Sequence, residues 1–142
     1  MSWLAVWLIG VAISDLAHSV RPVRLLTEVV GAATALLVGL LAGLTSPRDV
    51  VALVVIACLV LAWGQSVTRG FGAGPAWLPL VVLAFSLVLA VGVSGSAPPV
   101  AGLLRDWVDA VTLPVIADLG ADRFLLVVGA IGFQLSTGNV VV

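Results

Sequence analysis

The chain has 142 residues, of which 62% are hydrophobic and only 9% charged, and its formal net charge is -1. Ordinary soluble domains carry about 25% charged residues, so a soluble fold of this composition would have too few charges to cover its surface. The basic residues are all Arg and are dispersed along the chain, which argues against the clustered basic face of a nucleic-acid-binding protein. The composition predicts an all-α, polytopic integral membrane protein whose partners are the lipid bilayer and either other membrane subunits or a second copy of itself.

Hydropathy and proline positions predict five transmembrane helices and one amphipathic helix. A spanning helix needs roughly 20 apolar residues. Proline is tolerated at the start of a helix and disfavours helix at the residue before it, so Arg21-Pro22 and Ser46-Pro47 mark helix boundaries. The predicted spans cover about residues 2–20, 23–44, 49–65, 77–94 and 122–142, and the amphipathic helix covers about residues 98–113.

The second span carries a small residue at every fourth position. Residues at this spacing share one face of a helix. In a bilayer, helices gain little by hiding leucine from lipid, whereas small side chains let two backbones approach closely. The pattern therefore predicts a helix-docking face, called the small-residue row below, formed by Thr27, Gly31, Ala35, Gly39 and Gly43.

Four polar residues flank the predicted turn at Arg21-Pro22, with Asp15 and His18 before it and Arg24 and Glu28 after it. Asp15 and Glu28 are each about six residues from the turn, so we expect them at matching depth. An ionisable group inside a span is costly and points to function by default. We therefore predict an intramembrane polar cluster at the end of this helical hairpin.

Two interpretations of the cluster stay open. In the structural one, Glu28 pairs with Arg24, and Asp15 pairs with His18 or Arg21. In the functional one, Glu28, Asp15 and His18 form a protonatable or cation-contacting site in a small transporter or channel component.

The residues from 98 to 113 have a different character, because apolar side chains recur at helical spacing while Arg105, Asp106 and Asp109 fall on other faces. This pattern is typical of a helix lying flat in the membrane interface, with Trp107 as its anchor. It serves either as a connector between spans or as a lid that docks a partner.

Motifs for catalysis and cofactors are weak. One His and scattered carboxylates do not supply the close ligand set of a metal site. Ser94 lacks the glycine two residues later that a nucleophile elbow requires, and Ser14, Asp15 and His18 on one helix cannot easily form a catalytic relay. We expect no catalysis, no cofactor and no metal, and we predict an assembly or accessory subunit, with the transporter component as the alternative.

The closing residues, Phe133 to Val141, resemble a passage in uncharacterised bacterial polytopic membrane proteins that continue into further helices. The resemblance implies a bacterial plasma membrane and transfers no functional site. The final run, Val140 to Val142, lacks a polar flank, as we expect of the N-terminal part of a longer chain. The Arg residues divide evenly between the two predicted sides, so a simple count under the positive-inside rule selects no orientation. We expect the N-terminus outside and the hairpin with Arg21 and Arg24 inside.

Overall fold

The computed structural model describes residues 2–20, 24–70, 75, 77–94, 98–111 and 114–137. These ranges form six α-helices and no strand, which confirms the all-α prediction. α6 is interrupted at Gly120, whose φ of 70° and ψ of 160° are not helical. The helices are α1 (Ser2–Val20), α2 (Arg24–Leu41), α3 (Pro47–Gly70), α4 (Leu78–Ser94), α5 (Gly102–Ala110) and α6 (Pro114–Thr137).

α2 ends at Leu41, earlier than the predicted boundary at residue 44, because Gly43 closes the helix. Gly43 has a φ of 82°, its N–H donates to the carbonyl oxygen of Leu40 at 3.0 Å, and the N–H of Leu44 donates to that of Gly39 at 3.1 Å. This is the Schellman motif, in which a left-handed glycine satisfies the last carbonyls of a helix. Gly43 therefore terminates α2. The four-residue spacing had predicted that Gly43 extends the small-residue row along the helix, and it does not.

α3 begins at Pro47 with a reciprocal cap. The Ser46 hydroxyl donates to Asp49 Oδ2 at 2.6 Å, and the Asp49 N–H donates to Ser46 Oγ at 3.2 Å. Serine before the helix and an acidic residue three positions later satisfy backbone donors that the first turn leaves open. The same sequence that marks the turn thus fixes the start of α3.

α1 is the central helix. It contacts α2, α3, α4 and α6, and the side chains of Trp3, Val6, Trp7 and Val11 are at most 2% exposed. Trp7 also lies against Phe133 of α6, with ring centroids 6.1 Å apart. The hydrophobic core is therefore built around the first helix of the chain.

Glycines let the neighbouring helices approach the α1 backbone. A Cβ added to Gly31 of α2 would lie 2.6 Å from Ser14 Cβ and 2.7 Å from the Gly10 carbonyl oxygen. A Cβ on Gly129 of α6 would lie 3.1 Å from the Ala5 carbonyl oxygen. Real Cβ atoms essentially never come within 3.0 Å of another heavy atom, so α2 can reach this separation only with glycine at position 31, whereas the 3.1 Å at Gly129 would be a tight contact.

α5 is shorter than the predicted helix of residues 98–113. Its Trp107 is 53% exposed and lies beside the Phe124 ring of α6 at 5.9 Å between centroids. The preceding segment is fixed to the α2–α3 turn, because the Ala101 N–H donates to the Ala42 carbonyl oxygen at 2.9 Å. The same segment is attached to α6 through Asp122, whose carboxylate accepts a hydrogen bond from the Val100 N–H at 3.3 Å.

Two segments of the described residues are long and apolar enough to cross a bilayer by length and composition, Pro47–Val67 and Asp118–Ser136. Five spans were predicted, but the apolar runs of α1, α2 and α4 are shorter than a membrane span by this measure. The predicted turn at residues 21–22 and the end of the fifth predicted span, residues 138–142, lie outside the described residues. The shorter runs are Trp3–Ala17, Leu25–Leu41 and Leu78–Gly92.

We expect Gly31→Ala to lower the free energy of unfolding by about 1 to 3 kcal/mol, because the new methyl group meets the α1 backbone. Gly39→Ala should cost less, because the atoms nearest to its methyl group belong to the Leu53 side chain and not to a helix backbone. Denaturant unfolding of the purified protein in detergent measures both. Gly92→Ala is the matched control, since nothing lies within 4 Å of a Cβ at that position. Equal losses at Gly31 and Gly92 would contradict the proposed contact.

Candidate functional site

The most enclosed ionisable side chain described is Glu28, which is 4% exposed. It lies between α2 and α3, where its Oε2 accepts a hydrogen bond from Gln65 Nε2 at 2.6 Å. Gly64 gives the carboxyl group its space, because a Cβ there would lie 2.6 Å from Glu28 Cγ and 3.0 Å from Cδ. Two consecutive residues of α3 therefore hold Glu28, one by contact and one by lacking a side chain. This arrangement is called the Glu28 site below.

The second carboxyl oxygen of Glu28, Oε1, is buried and has no hydrogen-bond partner within the described part of the chain. A buried polar atom without a partner costs about 1 to 3 kcal/mol. Such atoms are uncommon, and each one calls for a physical explanation such as strain, a catalytic role or an ion. Chemically, Oε1 is free to accept a donor hydrogen, a proton or a small cation.

Asp15 is also buried: its side chain is 9% exposed. It follows Ser14 directly on α1. Gly10 lies against Ala35 and Ser14 against Gly31, so the two helices are antiparallel with a defined register. This register places Asp15 and Glu28 about 3 Å apart along the helix axis, at 1.5 Å per residue. The contacts of Glu28 itself are to α3.

The remaining members of the predicted polar cluster are His18 and Arg24. Their side chains, and the whole of Arg21, lie outside the described residues. The ion pairs Glu28 with Arg24 and Asp15 with His18 or Arg21 therefore stay predictions.

The small-residue row faces the protein interior over most of its length and divides between two neighbours. Ala35 is 0% and Thr27 3% exposed. Gly31 and Ala35 meet Ser14 and Gly10 of α1, whereas Gly39 meets Leu53 of α3. The row thus fixes α2 against two helices at once, rather than against one.

Sequence reasoning missed three contributors to these contacts. Gly10 and Ser14 are four residues apart on α1, which is the small-residue spacing used to identify the row on α2. Gly64 and Gln65 interrupt the apolar run of α3, and small residues such as glycine let neighbouring helices in a bilayer approach closely. The signal was present in each case, but the partner lay on another helix.

No group of three or more His, Cys, Asp or Glu side chains that could hold a metal ion occurs among the residues described. Comparisons with protein-family models, with curated proteins and with solved structures each gave no match. The functional interpretation therefore depends on the geometry of this chain.

Proposed function

We propose that the protein is an integral membrane bundle of five spans and that it acts as a non-catalytic assembly or accessory subunit. The observation that carries the proposal is the uncovered apolar surface of α4 and α6. Phe85 and Val88 of α4 are 60% and 71% exposed, and Leu135 of α6 is 68% exposed. Exposed apolar area on this scale marks a lipid or protein contact.

The poor coverage of α6 favours lipid over water. Only 11% of the Asp118–Ser136 segment is buried, whereas the core helix of a soluble protein is mostly enclosed. In the proposed bilayer, α1, α2 and α4 cross with shorter apolar runs, which local thinning of the bilayer or contact with other spans accommodates at modest cost.

The helix arrangement supports an assembly role. α4 contacts only α1 and α3 among the described helices, and α6 contacts only α1 and α5. The outer faces of α4 and α6 are thus open to the helices of another subunit or of a second copy. Trp107 on α5 is exposed beside Phe124 of α6 and would lie in the membrane interface, where tryptophan is favoured.

We expect the protein to stay with the membrane pellet after an alkaline carbonate wash and to enter solution only with detergent. Mild detergent should then extract it together with a second membrane subunit or copy at fixed stoichiometry, as measured by size-exclusion chromatography with light scattering. Release by carbonate would contradict the membrane proposal. A particle containing one chain and detergent alone would contradict the assembly role.

The Glu28 site favours a second candidate function, a small transporter or channel component. Its support is the enclosed Oε1, which has no hydrogen-bond partner among the described residues. A hydrogen bond to an ionised group contributes about 1.5 to 3 kcal/mol, against about 1 kcal/mol for a neutral pair, so an ionised carboxyl group here favours binding of a partner. A proton or small cation that binds and leaves at Oε1 would use the site as a carrier, as buried carboxyl groups do in membrane transport proteins.

For this second function, we expect purified protein in liposomes to move protons or small cations, detected with an enclosed pH-sensitive or cation-sensitive dye. Glu28→Gln should abolish the flux, because the amide keeps the hydrogen bond to Gln65 but binds no proton or cation at Oε1. Asp109→Asn is the matched control, since its carboxylate is exposed and pairs with Arg105 at 3.5 Å. Flux no greater than that of empty liposomes would remove the transporter function.

A further inference from the structure

An apolar groove of about 280 Å³ lies between the first half of α3 and the last part of α4. Val51, Val55 and Leu59 of α3 and Leu89 of α4 line it, together with the buried ring of Trp3 from α1. A single charged residue, Arg48, lies at one end. The groove therefore has an apolar length and one cationic end.

The length of the groove matches one leaflet of a bilayer. Its α3 side runs from Arg48 to Leu59, which is about 16 Å at 1.5 Å per residue. Half of the hydrocarbon core of a bilayer is about 15 Å. With α3 spanning the membrane, the groove would extend from the interface at Arg48 to the midplane near Leu59.

The charge at the end of the groove is available to a ligand. Arg48 is exposed, and its side chain forms no ion pair or hydrogen bond within the described ranges. The salt bridge that these ranges do contain joins Arg105 to Asp109. The neighbouring acid, Asp49, accepts from Ser46 in the helix cap. An arginine at this level is suited to a phosphate group, which it can bind with two parallel hydrogen bonds.

We infer that the α3–α4 groove is a binding site for one acyl chain of an anionic phospholipid, whose headgroup phosphate binds Arg48. The inference rests on the proposed membrane location and is independent of the assembly role and of the Glu28 site. The apolar lining supplies the contact area, and the guanidinium group selects for the negatively charged headgroup.

The test is titration of delipidated protein in detergent with phosphatidylglycerol and with phosphatidylcholine of the same acyl chains, read by native mass spectrometry. We expect phosphatidylglycerol to bind more tightly, and Arg48→Gln to weaken its binding about tenfold, as loss of a charge-assisted hydrogen bond does. Arg69→Gln is the matched control, because Arg69 is exposed near the opposite end of the same helix. This variant should bind phosphatidylglycerol as tightly as the unmodified protein does.

A second variant tests the apolar part of the groove. Ala52→Leu places a larger side chain in the lining and should remove lipid binding, whereas Ala62→Leu changes an exposed residue of α3 outside the lining and should not. Thermal unfolding verifies that both variants are folded. Arg48→Gln is a surface change, so it tests the proposal even if Ala52→Leu does not fold.

Several outcomes would overturn the inference. They are equal binding of the two lipids, equal effects of Arg48→Gln and Arg69→Gln, unchanged binding in folded Ala52→Leu, or loss of a dimer rather than of lipid in that variant. Each of these leaves the membrane location standing if the protein resists carbonate. Release of the protein by carbonate would overturn the membrane location and the lipid site together.

Discussion

The close approach of α2 to the α1 backbone is the constraint on which the rest of the structure depends. It requires Gly31 opposite Gly10 and Ser14, where no larger side chain fits. Because α1 also contacts α3, α4 and α6, its position sets that of every long helix. In lipid, where leucine gains little from burial, such backbone contacts supply much of the packing energy.

The same packing places a carboxyl group inside the protein. With α2 held by α1 on one side and by α3 on the other, Glu28 lies against Gly64 and accepts from Gln65. The outer surface has the opposite character, since large apolar side chains such as Phe85, Val88 and Leu135 are exposed on α4 and α6. An interior that encloses the Glu28 carboxyl group and a surface suited to lipid or to partner helices are compatible with both proposed functions. The two functions differ in whether Glu28 exchanges a proton or cation.

The sequence was sufficient to predict the all-α class, because helical periodicity and proline positions are local properties. It also suggested the small-residue row on α2. It could not assign the partners of the row. Gly31 meets α1 and Gly39 meets α3, and that division depends on the register between helices. The contact of Glu28 with Gln65 joins residues 37 positions apart, so spacing alone could not predict it. Gly43 shows another limit, since its four-residue spacing fits the row while its positive φ ends the helix.

The central position of α1 is tested most directly by lipid quenching of tryptophan fluorescence. Trp7 is 1% exposed on α1 and Phe85 is 60% exposed on α4. Trp3 of α1 and Leu89 of α4 line the same groove. Trp7 and Phe85 are each four residues from them along their helices, so we expect these two positions at similar depth. One variant keeps only Trp7, and the other carries Phe85→Trp as its only tryptophan, both reconstituted in lipids with brominated acyl chains. We expect strong quenching at position 85 and weak quenching of Trp7, and equal quenching of the two would contradict the central position of α1.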